Sequence, residues 1–154
     1  MNYSQSTRQR IADLYIGMRV TKAANTSPLV VDTPLFQIVG GRVSVNLLIG
    51  EVTTEIENVP TTIQFQSDPT VGADLALSTA ATDIDTALVG TLIGLTGTAG
   101  GAVLIGQALA PAQASPIVVS AGYIDVLYGH AATGAIKYSL WYVPLDAGAY
   151  VIAA

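Results

Sequence analysis

From Pro28 to the end of the chain, apolar and polar residues alternate in short runs, and glycine, proline and small polar residues break the runs. This is the pattern of half-buried strands. Leu29-Val30-Val31 begins the series, and LFQIV follows at 35–39. Gly40-Gly41 then precedes RVSVNLLI at 42–49 and predicts a hairpin, because both positions accept positive φ. Val43, Val45, Leu47 and Ile49 share one face; beyond Gly50 the inner set becomes Val52, Thr54 and Ile56. That one-residue change of phase predicts a bulge at or beside Gly50. After the turn Asn58-Val59-Pro60, TTIQFQ (61–66) points Ile63 and Phe65 inward. Two strands fit 90–96 and 102–109 around a Gly/Thr turn, and another pair fits 116–121 and 123–128 around Gly122. IKYSLWYV (136–143) and a short run at 149–153 complete the series, while residues 75–88 predict a short helix.

The first 28 residues read differently. Ile11, Leu14, Tyr15 and Met18 fall at i, i+3, i+4 and i+7, a helical stripe that Gly17 weakens. The polar loop AANTS ends at Pro28. The expected organisation is an extended or partly helical arm over 1–28 and one β domain over 29–154. Eight or nine strands with no long helix predict an all-β fold, a β-sandwich or jelly roll.

Charge sharpens this picture. Only 11% of residues are charged and 51% are apolar, against about 25% charged in an ordinary soluble domain. The span from Thr86 to Ile124 has no charge at all. Its glycines, Pro111 and Pro116 divide it into strand-length pieces, so a membrane span is not expected. A surface built from Thr, Ser, Ala, Gly, Gln and Asn is suited to being covered by other protein. Residues 1–42 carry five basic groups against Asp13 and Asp32, a net +3; residues 43–154 carry Lys137 against nine acids, a net −8. The overall charge of −5 argues against nucleic acid as a partner. There is no cysteine, which removes disulfides and thiolate metal sites. The start of the chain mixes Arg and Asp into its apolar positions, so a secretory leader is not expected there.

The chemical inventory is thin. His130 is the only histidine and sits in a turn-like Tyr-Gly-His-Ala-Ala-Thr-Gly, more readily a solvated side chain than a base. Neither a phosphate loop nor a nucleophile elbow is present. Glu51, Glu55 and Glu57 would share a strand face, where they could approach Ca²⁺ but more simply form a solvated stripe. Asp83 and Asp85 read as loop or cap residues. Trp141 with Tyr123, Tyr128, Tyr138 and Tyr142 could form a sugar platform, although core and rim packing is the simpler reading. No catalytic residue, metal or cofactor is expected.

The segments LFQIVGGRVSVNLLIGEVTTEI (35–56), SDPTVG (67–72), GTLIGLTGT (90–98) and SLWYVPLDAGAYVIAA (139–154), taken in order, resemble small β-rich virion proteins of tailed bacteriophages. The resemblance is to the decoration, or cement, proteins of the capsid and covers residues 35–154. It implies a non-enzymatic β domain, usually trimeric, bound to the major capsid protein on the outer surface of the virion after synthesis in the host cytoplasm. A tail or fibre adaptor and a carbohydrate-binding module are the alternatives. The arm lies outside the resemblance. Its candidate contact residues, Arg8, Arg10, Ile11, Leu14, Tyr15, Met18, Arg19 and Lys22, rest on charge and on an apolar stripe that would seek a partner surface.

Overall fold

A computed structural model describes residues 7, 10, 15–24, 32–80, 82–107 and 113–154. The strands among them are β1 (Met18–Lys22), β2 (Asp32–Val39), β3 (Val43–Thr54), β4 (Thr62–Pro69), β5 (Leu75–Ala76), β6 (Thr82–Asp83), β7 (Thr91–Leu95), β8 (Val103–Gln107), β9 (Ile117–Val119), β10 (Gly122–Tyr128), β11 (Ala135–Pro144) and β12 (Tyr150–Ala153). They form two antiparallel sheets. The first runs β1-β11-β3-β7-β8, with β9 also paired to β3. The second runs β12-β2-β10-β4-β5, with β6 also paired to β4.

The inner faces supply one core. Leu48, Val52, Ile93 and Leu140 come from the first sheet, and Phe36, Ile63, Phe65, Ile124 and Val126 from the second; all are buried. Tyr138 of β11 joins the two faces. Its ring meets Phe65 edge-on, with centroids 6.0 Å apart and planes at 87°. Its hydroxyl lies 2.6 Å from that of Tyr128 on β10. Both hydroxyls are buried, so each satisfies the other at a depth where a lone one would be costly. Burial pushes the Tyr128 phenol up to about 12 and raises that of Tyr138.

Gly50 makes room for this ring. It sits opposite Tyr138 in the β3–β11 ladder, and a Cβ at Gly50 would lie 2.8 Å from Tyr138 Cε1. The bulge expected at or beside Gly50 is therefore not there, and the ladder is regular through it. The register shifts instead between Leu47 and Val45 and between Thr54 and Val52, leaving Asn46 and Thr53 as the extra residues. The Asn46 amide donates to the Ile16 carbonyl at 2.9 Å, which gives the first bulge a polar anchor. Leu48 thus faces the core, and the expected inner residues Leu47 and Ile49 are only half-buried.

Two expected hairpins are connections between sheets. Gly40-Gly41 leads from β2 in the second sheet to β3 in the first. The glycines have φ of 79° and 150°, and Gly40 abuts the Gly148 carbonyl, so a Cβ would collide with backbone. Asp146 fixes the exit by accepting from the Arg42 backbone N–H at 2.7 Å and from its guanidinium at 2.8 and 3.0 Å. Likewise β9 pairs with β3 while β10 belongs to the other sheet, so Gly122 marks a crossing. The expected β7–β8 pair does form a hairpin. Residues 75–80 and 82–88 hold the short strands β5 and β6 with bends and turns, not the expected helix. Leu29-Val30-Val31 lies outside the described residues.

Replacing Gly50 by Val should overpack the centre and cost about 1–3 kcal/mol. Urea unfolding followed by circular dichroism checks this, and an unchanged midpoint would mean that the ring does not depend on the glycine.

Candidate functional site

The candidate contact residues near the N-terminus divide. Arg8, Ile11 and Leu14 lie outside the described residues. Arg10 and Tyr15 are helical and exposed, Tyr15 by 91%. The helical stripe does not reach Met18. Gly17 takes φ of 104° against the backbone of Tyr142, and Met18, Arg19 and Lys22 then belong to β1, paired with β11 from Met18↔Tyr142 to Lys22↔Tyr138. Residues 18–22 are thus an edge of the β body and not part of an arm outside it. Val20 packs against the core. The Lys22 ammonium donates to the Ala154 carbonyl, and the Arg19 guanidinium lies 5.3 Å from the Trp141 ring centroid, a cation–π distance. The sequence signal for β1 was present but weak. Met18, Val20 and Lys22 alternate with Arg19 and Thr21, yet the helical spacing from Ile11 overlaps them.

The other candidates disperse. Tyr128, Tyr138 and Tyr142 are buried in the core, and Arg19 covers half-buried Trp141, so the five aromatics form no open platform. Glu51 pairs with Lys137. Glu57 accepts from the Thr133 backbone N–H at 3.0 Å and its hydroxyl at 2.9 Å, which hold its carboxyl below the usual range. Asp83 accepts from the Asp85 N–H at 3.0 Å, a loop role. His130 is exposed. Among the described residues, no three His, Cys, Asp or Glu side chains are grouped to hold a metal ion.

One polar cluster was not anticipated. On the outer face of the second sheet, Asp32, Pro34, Asp68, Tyr123 and Asp125 line a cleft of about 320 Å³. Its geometry follows from the ladder. Asp125 of β10 stands opposite Pro34 of β2 and Gln66 of β4, and Tyr123 stands opposite Asp68. A bulge in β2 at Leu35 sets the first pairing and lets both Leu35 and Phe36 face the core. Pro34, which can donate no ladder hydrogen bond, sits at that bulge, where proline is tolerated. Asp125 is only 8% exposed, and its Oδ1 has no hydrogen-bond partner. Loss of water, and then the charges of Asp32, Asp68 and Asp74, push its carboxyl up to about 6. The alternation of Tyr123, Asp125 and Leu127 against Ile124, Val126 and Tyr128 puts Asp125 on an outer face in sequence. The pairing that gathers Asp32 and Asp68 around it is long-range and left no local signal.

No family model, no curated protein and no solved structure matches this chain.

The raised carboxyl has a stability consequence with a definite sign. The folded state prefers protonated Asp125, so that contribution is complete below about pH 4 and is lost as pH rises through about 6. Solvent entering the cleft screens much of the effect, so Asp125→Asn should stabilise the protein by about 1 kcal/mol at pH 7.5 and by almost nothing at pH 4. Thermal unfolding at the two pH values measures this; an equal shift at both would remove ionisation as the cause. Arg19→Ala should uncover Trp141 and raise acrylamide quenching of its fluorescence, with little change in unfolding midpoint.

Proposed function

We propose that this chain is a non-enzymatic structural protein of a bacteriophage virion, decorating and stabilising the capsid from outside as a homo-oligomer, most simply a trimer, with a jelly-roll-like body. The observation that carries the reading is the side of the sandwich where β1 and β12 meet. Among the described residues, each is the terminal strand of its sheet, paired on one edge only. The two touch one another, and Lys22 bonds to Ala154 there. Open edges normally carry charge or cover. Here β1 carries Arg19 and Lys22, both engaged within the chain, and the other exposed side chains on and beside the two edges include Tyr15, Ile16, Met18, Tyr150 and Ile152, between 41% and 91% exposed. Apolar groups clustered on open edges favour contact with other protein. The low share of charged residues, 11%, and the resemblance over 35–154 favour a shell protein that packs closely by symmetry.

A tail adaptor would use the same edges and differs in copy number. Quantitative mass spectrometry of the source particle should find many copies, one set for each repeating unit of the shell; a few per particle would assign the protein to the tail. The Arg19 guanidinium over Trp141 disfavours the carbohydrate alternative, and a glycan array should show no binding.

The double substitution Tyr150→Ser/Ile152→Ser changes exposed residues and should leave folding stability within about 0.5 kcal/mol. It should weaken self-association by at least about tenfold, the value of roughly one apolar contact removed from water. Light scattering over a concentration series reads this, and full association in the variant would move the interface elsewhere.

A further inference from the structure

We propose that the cleft formed by Asp32, Pro34, Asp68, Tyr123 and Asp125 is a receptor for a guanidinium group, and that its occupant is the Arg8–Arg10 segment of a second copy of this chain. The inference rests on the homo-oligomer reading and deepens it by naming where the basic N-terminal segment lands.

Three observations carry it. Asp125 is a carboxylate more than nine-tenths buried that lines the cleft with an oxygen lacking any partner. Two further acids, Asp32 and Asp68, line the same cleft. A site with that much negative charge and one unanswered acceptor calls for a cation. The kind of cation follows from the lining. No three acids among the described residues are grouped tightly enough to hold a metal ion, whereas a tyrosine ring and a proline stand among the carboxylates. Spaced carboxylates beside an aromatic face suit a flat, weakly hydrated organic cation, which can bond at its edge and stack on its face.

The source of that cation follows from the rest of the charge inventory. Arg19 lies on Trp141, Lys22 bonds to Ala154, Arg42 pairs with Asp146 and Lys137 pairs with Glu51. Among the described cationic residues, only Arg10 is exposed without a partner, and Arg8 precedes it by two residues. Among the described residues, the unanswered cation is thus in the N-terminal segment and the unanswered buried anion is in the cleft. Within one copy Asp125 Oδ1 has no hydrogen-bond partner, so the exposed Arg10 does not answer it. A second copy supplies the match.

The test uses the full chain at pH 7.5. Sedimentation velocity over a concentration series should show that R8A/R10A and D125N each weaken self-association by about tenfold, and that all three substitutions together weaken it no further. Circular dichroism of D125N should be unchanged. R8K/R10K keeps the charge but loses the flat fork, and should associate more weakly than the wild type and more strongly than R8A/R10A. In a mixture of ¹⁵N-labelled and unlabelled R8K/R10K protein, a zero-length carbodiimide should join the substituted residue 8 or 10 to Asp125, Asp32 or Asp68 in peptides of mixed isotope. Unchanged association in R8A/R10A, effects that multiply in the triple variant, or cross-links confined to one isotope would overturn the proposal while leaving the oligomer in place. A wild-type chain that stays monomeric at every concentration would instead remove the homo-oligomer reading, and this inference with it.

Discussion

Space for one aromatic ring at the centre of the sandwich is the constraint on which the rest of the structure depends. Tyr138 projects from β11 into the core, and Gly50 on β3 gives it room. From that position the ring packs on Phe65 and the hydroxyl reaches Tyr128, so one side chain ties the first sheet to two strands of the second. The buried hydroxyl pair adds direction to an otherwise apolar contact, because neither oxygen has water to turn to. Where the chain crosses from β2 to β3 through Gly40-Gly41, the Asp146–Arg42 cluster closes that end of the two sheets.

Much of the fold was legible because strands with one buried face write their alternation into the sequence. β4, β10 and β11 lie where alternation placed them, and the β7–β8 turn is a hairpin as its Gly/Thr composition indicates. What sequence could not convey is which sheet a strand joins. Gly40-Gly41 and Gly122 were correctly marked as turns, but a glycine turn between strands serves a hairpin or a crossing equally well. The phase change in β3 was real and was assigned to the wrong residue. Glycine is the usual mark of a bulge, yet here Asn46 forms it by bonding to Ile16, and Gly50 serves a neighbour's ring. At the other end of the chain, the spacing of Ile11, Leu14, Tyr15 and Met18 suggested a helix through residues that partly form the edge strand β1. Pairing with β11 outweighed local periodicity.

The charge asymmetry seen in the sequence acquires a location in the fold. Among the described residues most cations are answered within the chain: Arg19, Lys22, Arg42 and Lys137 are each engaged, whereas only two acids, Glu51 and Asp146, form ion pairs. The surplus negative charge gathers in part on the outer face of the second sheet, where Asp125 is held between β2 and β4. A body this poor in charge, with a desolvated carboxylate on one face and apolar side chains on its open edges, supports the proposal that other protein completes it. Both features are surface features, and neither is needed to close the core.

The central claim is that the side formed by β1 and β12 is covered in the working state. Hydrogen–deuterium exchange of the full chain, compared at dilute and concentrated protein and on the assembled particle, tests it most directly, because open-edge amides exchange freely unless something pairs with or covers them. The account predicts that amides of Met18–Lys22 and Tyr150–Ala153 gain protection on assembly while those of the central strand β3 stay as they were. Edge amides that exchange equally fast in every state, with new protection appearing only on other surfaces, would contradict it.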